Sequence, residues 1–362
     1  MAFNPQPIIL VLISTSQQVK AQTLIFLYEQ IFGDLLKDPS ITELAVNRPG
    51  EIFFERNGRW EHQAAPGLTY QQLKAFAVNA ATFNSQTFEE QSSPVLSAVL
   101  PNGERLQAVA PPACQDDRIS ITIRRPSFDV RHLSGYVASG FFNEVRIPGE
   151  KSSDAIELAE LARSFNDPGW IKARPIEEVS AARARFVLRA VQLGKNIVVA
   201  GETGSGKTTF MKALMQEIPV SERIITIEDV PELLYGLPHH QNQVNLLYPS
   251  EGSSMLTAAT LMKSCLRMKP DRILIAELRG GETYDWLNAC LSGHGGSITS
   301  CHAGSCKGVF DYLALKVLQS EAGSKLPNSV IKELLNLVID VVIHIHNDHG
   351  HRCITEILFN ER

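Results

Sequence analysis

Apolar residues recur along this chain with two different periods, and the points where the period changes divide it into parts. Around Ile52 and Phe54 they alternate with polar residues between a Pro49-Gly50 turn and an Asn57-Gly58 turn, which predicts a pair of strands joined tightly before Trp60. From Thr69 to about Phe83 the spacing becomes helical: Leu73, Phe76, Ala77 and Ala80 share one face, and Thr69 is placed as the cap. Three further strand candidates cover residues 95–100, 105–110 and 119–124, the first two joined through Pro101-Asn102-Gly103. These elements predict a small α+β domain over residues 21–126.

Between residues 127 and 175 the strand pattern disappears. Pro148-Gly149 and Pro168-Gly169 interrupt this stretch, and a single helix is expected over 154–165, so it reads as a linker. After Pro175 a helix leads into a short apolar run at 196–200. Further runs at 224–228, 273–277 and 297–300 then alternate with helical stretches. That alternation predicts a doubly wound α/β domain over 176–362. Its last two runs, 341–346 and 353–359, flank Asn347-Asp348-His349-Gly350 and read as a terminal hairpin.

Residues 1–20 receive no assignment. The apolar run at 8–13 is too short to span a bilayer, and no Lys or Arg precedes it as a leader requires. A soluble intracellular protein is the expectation, with its six cysteines, none in a C-x-x-C pair, as reduced thiols. A length of 362 residues favours two cores over one. The net charge of -5 supplies no global basic field, so direct binding to nucleic acid is not expected.

The candidate chemistry lies in the second domain. Gly201-Glu202-Thr203-Gly204-Ser205-Gly206-Lys207-Thr208 matches G-x-x-x-x-G-K-[ST] between an apolar strand and a helix-forming segment. Glycines let backbone amides converge on phosphate without a clashing Cβ, and the following helix presents its unsatisfied N–H groups. Lys207 is expected to reach the outer phosphates of ATP, and Thr208 to offer its hydroxyl to Mg²⁺. Thr209 continues the loop into the helix. Two strands then end in carboxylates. Glu277 closes one and is the candidate for Mg²⁺ and water positioning. Glu228 and Asp229 close the other, and either is a candidate to polarise the attacking water, the competing reading being a helix cap or a solvated loop charge. His302 follows the strand at 297–300 and is the candidate sensor of the terminal phosphate. Cys301, His302 and Cys306 lack the paired ligands of a zinc site. His344, His346, His349 and His351 are read as solvated hairpin residues.

The phosphate loop, the acidic segment 225–232, the stretch 268–283 with Arg279 and Glu282, and the histidine segment 293–303 together resemble the traffic ATPases of type IV secretion systems. Asn47-Arg48-Pro49-Gly50-Glu51-Ile52 resembles the start of that family's N-terminal domain. The resemblance implies a RecA-like P-loop NTPase domain behind the smaller α+β domain, ATP and Mg²⁺ as cofactors, and a homo-hexamer in two rings. It also implies N-terminal arginines that touch phosphate, for which Arg105 and Arg124 are the candidates and Arg125 the alternative one register step away. The implied role is pilus assembly and export of protein or DNA at the cytoplasmic face of a bacterial inner membrane. The implied partners are inner-membrane channel proteins and other secretion ATPases, with peripheral membrane association. A type II secretion or pilus-retraction ATPase is the rival within the class. A slowly turning nucleotide-controlled docking module and a helicase are rivals outside it. The absence of a tetracysteine module favours the type IV branch.

Overall fold

The structure, a computed structural model, describes residues 15–127, 130–145, 147–249 and 256–361. The apolar run at 8–13 lies outside the described residues. Six strands build the N-terminal sheet: β1 (Ile41–Val46), β2 (Glu51–Arg56), β3 (Arg59–Ala64), β4 (Val95–Val99), β5 (Arg105–Val109) and β6 (Ser120–Arg124). Their order is β3-β2-β1-β6-β5-β4, and every pairing is antiparallel. The β2–β3 turn is the one that Asn57-Gly58 predicts. Both residues have positive φ, 50° and 75°, the conformation that matches a two-residue loop to the twist of its strands.

The helix Tyr70–Phe83 opens with a full capping box: Thr69 Oγ1 accepts from the Gln72 amide while the Gln72 side chain accepts from the Thr69 amide. It buries Leu73, Phe76, Ala77, Ala80 and Ala81 on the sheet. A second helix, Thr15–Phe32, lies beside it and completes the layer with Leu24, Tyr28 and Phe32, with the Tyr28 ring stacked on Phe76 at 6.0 Å.

The C-terminal sheet has seven strands: β7 (Ile197–Gly201), β8 (Ile224–Glu228), β9 (Gln243–Leu247), β10 (Arg272–Ile275), β11 (Ile298–Cys301), β12 (Val341–Asp348) and β13 (His351–Phe359). Their order is β13-β12-β7-β11-β10-β8-β9, parallel except for β12–β13. One apolar core fills each face, with Trp286, Val309 and Leu335 on one side and Phe186, Met211 and Met215 on the other. The terminal hairpin is therefore not an appendage, because β12 pairs directly with β7 in the centre of the sheet.

The helix expected at 154–165 spans Ser153–Asn166. It buries Leu158 and Ala162 in the same core as Phe186 and Ala190 of the helix Ile176–Gln192, and Glu157 receives Arg189 at 2.9 Å. From Ser153 onward the chain is thus packed on the nucleotide-binding core.

The two domains meet around Arg223, which is fully buried just before β8. Its guanidinium donates to Asn47 Oδ1 (2.8 Å) and Thr122 Oγ1 (3.1 Å) of the N-terminal domain, and also to Asn242 Oδ1 (2.5 Å) and the Met268 carbonyl (2.9 Å). Burial pulls its pKa down to about 10, which leaves it charged at neutral pH. Lys269 adds an ion pair to Glu55 at 2.9 Å, and the Leu247 amide donates to the Ala113 carbonyl.

Candidate active site

The parallel sheet delivers its carboxyl-end loops to one rim, and the candidate site is built there. Strand β7 is buried throughout and ends at Gly201, where no side chain fits: a Cβ would come within 2.3 Å of the Ile345 carbonyl oxygen on β12. Gly206 caps the helix Lys207–Gln216 in a left-handed conformation, φ 96°, which turns the loop's amides toward the space in front of the helix. Glu202, Thr203 and Gly204 are exposed there, whereas Ser205 is buried with an Oγ that has no hydrogen-bond partner.

Lys207 is itself buried, and its ammonium donates to the carbonyls of Gly201 (2.9 Å) and Glu202 (3.0 Å). Burial lowers its pKa, and the Glu277 charge works in the opposite direction. Thr208 is half-buried and Thr209 exposed on the first turn of the helix.

A line of charged groups runs along the rim from this lysine. His302, at the end of β11, has Nδ1 3.5 Å from Lys207 Nζ and Nε2 2.7 Å from Glu277 Oε1. Glu277 follows β10 and receives Arg279 on its other oxygen at 2.6 Å, and Arg279 reaches Asp229 beyond β8 at 2.8 Å. Glu282 fixes the bend after Glu277 by accepting from the Arg279 and Gly280 amides, each at 2.6 Å. Residues that follow three adjacent strands are therefore linked with the phosphate loop in one chain of contacts, Lys207–His302–Glu277–Arg279–Asp229, with Glu277 at its centre. Glu277 Oε1 is buried and accepts no aligned hydrogen bond despite its contact with His302. A buried carboxylate oxygen without a donor, together with the Thr208 hydroxyl, is an oxygen set that suits Mg²⁺. That ion is usually held by one or two protein groups and substrate phosphates, with the rest of its shell water.

Glu228 does not join this group. Its carboxylate is wholly buried and accepts from the amides of Glu232 (2.8 Å), Leu233 (2.6 Å) and Leu234 (3.1 Å), so it caps the short 3₁₀ turn Leu233–Tyr235. The reading of Glu228 as the group that polarises water gives way to the capping one. One residue further along, with the side chain facing the other way, Asp229 is the carboxylate that reaches the rim.

Arg105 and Arg124 stand directly opposite one another on β5 and β6. Arg124 is 67% exposed, with Nε 3.6 Å from Glu43. Glu43 lies in the field of Arg223 and Lys269, which precede β8 and β10 at the end of the sheet away from the rim. Among the described residues no hydrogen bond or ion pair links either arginine to the phosphate loop of its own chain. The Arg125 guanidinium donates to the carbonyls of Leu36, Asp38 and Ile41 within its own domain.

His344 corrects the reading of the hairpin histidines as solvated, since it is buried with Nδ1 2.6 Å from Thr355 Oγ1. His349 and His351 are exposed. Cys301 and Cys306 are buried, and burial pushes both thiols up to about 12, far from metal-binding thiolates. A cavity of about 1280 Å³, lined by Arg183, Phe210, Glu217, Lys307, Ile354 and Phe359, lies beside the edge strand β13 rather than at Lys207 and Glu277.

Fold and rim together define a P-loop nucleotide-binding protein of the RecA-like kind. Residues 175–347 match the family model described as "Type II/IV secretion system protein". The chain is 54% identical over 332 residues to the type IV secretion system protein VirB11 of Brucella abortus (strain 9-941), covering 90% of this chain and 87% of that one. It is 41% identical over 322 residues to PtlH, a type IV secretion system protein of Bordetella pertussis, covering 87% and 88%. The crystal structure of the VirB11 ATPase from the Brucella suis type IV secretion system, a complex with sulphate, superposes with a TM-score of 0.82 at 50% identity, over 94% of this chain and 97% of that one. The chain belongs to the VirB11 family of type IV secretion ATPases. No helix among the described residues is long and apolar enough to cross a membrane.

Proposed function

We propose that this ATPase works as a homo-hexameric motor whose ATP turnover energises pilus assembly and the export of protein or DNA through a type IV secretion system. The observation that carries the catalytic part is the convergence of Lys207, His302, Glu277, Arg279 and Asp229 on one point of the rim.

Loop amides from Glu202 to Thr209 hold the phosphates, and Lys207 leaves its two carbonyls to pair with the outer ones. Thr208 and Glu277 would hold Mg²⁺, which when bound neutralises charge on the phosphate oxygens. Glu277 accepts a hydrogen bond from the attacking water and orients it. Arg279 and His302, on either side of the carboxylate, fix its position. Loss of the terminal phosphate alters the charge beside His302, and through Glu277 and Arg279 that change reaches Asp229, which follows β8, the neighbour of the edge strand β9 that bonds to the N-terminal domain.

Arg105 and Arg124 then act on the phosphate of an adjacent subunit, a role for which a paired, solvent-facing position away from their own loop is suited. The motor sits in the cytoplasm against the inner membrane, held by the cytoplasmic faces of channel proteins and other secretion ATPases, without direct contact to nucleic acid. Phosphate release measured against protein concentration, with mass determined in parallel, tests this reading. Activity is expected to rise with a six-subunit species and to fall when Arg124 is replaced by Ala. Equal activity from a monomer would overturn the hexameric part.

A further inference from the structure

Strand β12 is longer than its neighbour and continues past the end of β7. Their register ends at Ile345 opposite Gly201, where β7 turns into the phosphate loop. The last residues of β12 and the first of β13 therefore stand beside the loop itself. His346 Nδ1 lies 3.2 Å from Glu202 Oε1, and Asn347 Nδ2 lies 3.4 Å from the Gly204 carbonyl. Arg352 is the cross-strand partner of Asn347. Its Cδ and Nε lie 3.4 and 3.8 Å from the point that a Cβ on Gly206 would occupy. The turn that presents them is tight, a two-residue His349-Gly350 loop with φ of 47° and 99°.

Gly206 is the cap of the ten-residue helix Lys207–Gln216, so Arg352 lies over the end of the helix that faces phosphate. It is exposed, and among the described residues it takes part in no ion pair, whereas Lys207, Arg279 and His302 each have a partner along the rim. A guanidinium with free donors at an anion site matches phosphate oxygens in its planar fork. We propose that the terminal hairpin forms a second wall of the nucleotide site and that Arg352 is a direct ligand of the nucleotide's polyphosphate. Asn347 and His346 hold the hairpin to the loop so that the arginine meets the phosphates already placed. The carboxylate of Glu202 keeps to His346 and away from the incoming anion.

This inference rests on the phosphate-loop reading, and the experiment separates the two. Equilibrium titration of the full chain with fluorescent ADP and ATP analogues would compare the wild type with Arg352→Ala, Arg352→Lys and Lys207→Ala, each checked by its unfolding curve without nucleotide. Arg352→Ala is expected to weaken both nucleotides by about tenfold or more, the scale of a lost charge-assisted hydrogen bond. Arg352→Lys should recover part of that. In the steady state Arg352→Ala should raise KM by a similar factor while kcat stays within about twofold, the signature of lost binding shared by ground and transition states. If Arg352→Ala binds within about twofold of the wild type while Lys207→Ala does not bind, the hairpin is no part of the site. If Lys207→Ala also binds normally, the phosphate-loop reading falls and this inference falls with it.

Discussion

His302 Nε2 and Glu277 Oε1 lie 2.7 Å apart although they leave the sheet on different strands, β11 and β10. The parallel register places both at the rim, with Ile275 opposite Thr299. The histidine thus links the carboxylate expected to orient water with Lys207, the group expected to hold the outer phosphates.

Glu277→Gln keeps the shape of this junction and removes its charge. Hydrolysis is expected to fall by about 100-fold or more, the lower range for loss of a positioned base, while nucleotide affinity stays within a few-fold. His302→Ala should cost less. The double variant should be little worse than Glu277→Gln, because residues acting as a unit are not additive. Single-turnover phosphate release on the four proteins checks this.

Glu228 predicts a stability defect instead. Replacing it by Ala leaves three amides without their acceptor, the buried one of Leu233 among them, and should cost about 3 kcal/mol in chemical denaturation, whereas Gln keeps a carbonyl acceptor and should cost about half as much.

Arg223 makes a comparable prediction for the domain junction. Arg223→Met keeps much of the stem volume but leaves Asn47 Oδ1 and Thr122 Oγ1 without this donor, while Asn242 Oδ1 keeps the one from Asn47 Nδ2, at a cost of about 3 kcal/mol. Limited proteolysis should then cut between the domains earlier than in the wild type, and both domains should survive as fragments.

The pH dependence of stability should carry the mark of Glu43. Burial pushes its carboxyl up to about 7 from about 4.5, opposed by Arg124, Lys269 and Arg223 and reinforced by Glu55, and its Oε2 has no hydrogen-bond partner. Because the folded-state value is the raised one, the stability this group allows is complete below about pH 4.5 and is lost as pH rises through about 7. Glu43→Gln should match the wild type below that range and exceed it above pH 7 by up to roughly 3 kcal/mol. Denaturation midpoints of the two proteins between pH 4 and 8.5, with a flatter curve for the variant, check it.

The strongest local signals in the sequence carried through to the structure. The Asn57-Gly58 turn, the Thr69 cap and the glycine-rich loop each depend on residues that only a few backbone conformations suit. Helix Thr15–Phe32 went unread because exposed Val19 and Phe26 blur the stripe of Ala21, Leu24 and Tyr28. Strand β9 was missed because its buried face carries Asn245, which looks like a loop residue until its bond to Thr226 Oγ1 is seen. Choosing between Glu228 and Asp229 required knowing which way a strand end faces, and the proximity of Arg352 to Gly206 spans 146 positions in the chain, beyond the reach of any local pattern.

The most direct test of the central claim is the rate of phosphate release from Mg²⁺-ATP by the wild type and by Lys207→Ala under conditions where both are folded and of equal mass. The expected result is turnover by the wild type and a loss of about 100-fold or more in the variant. Equal rates from the two proteins would contradict the assignment of hydrolysis to this loop.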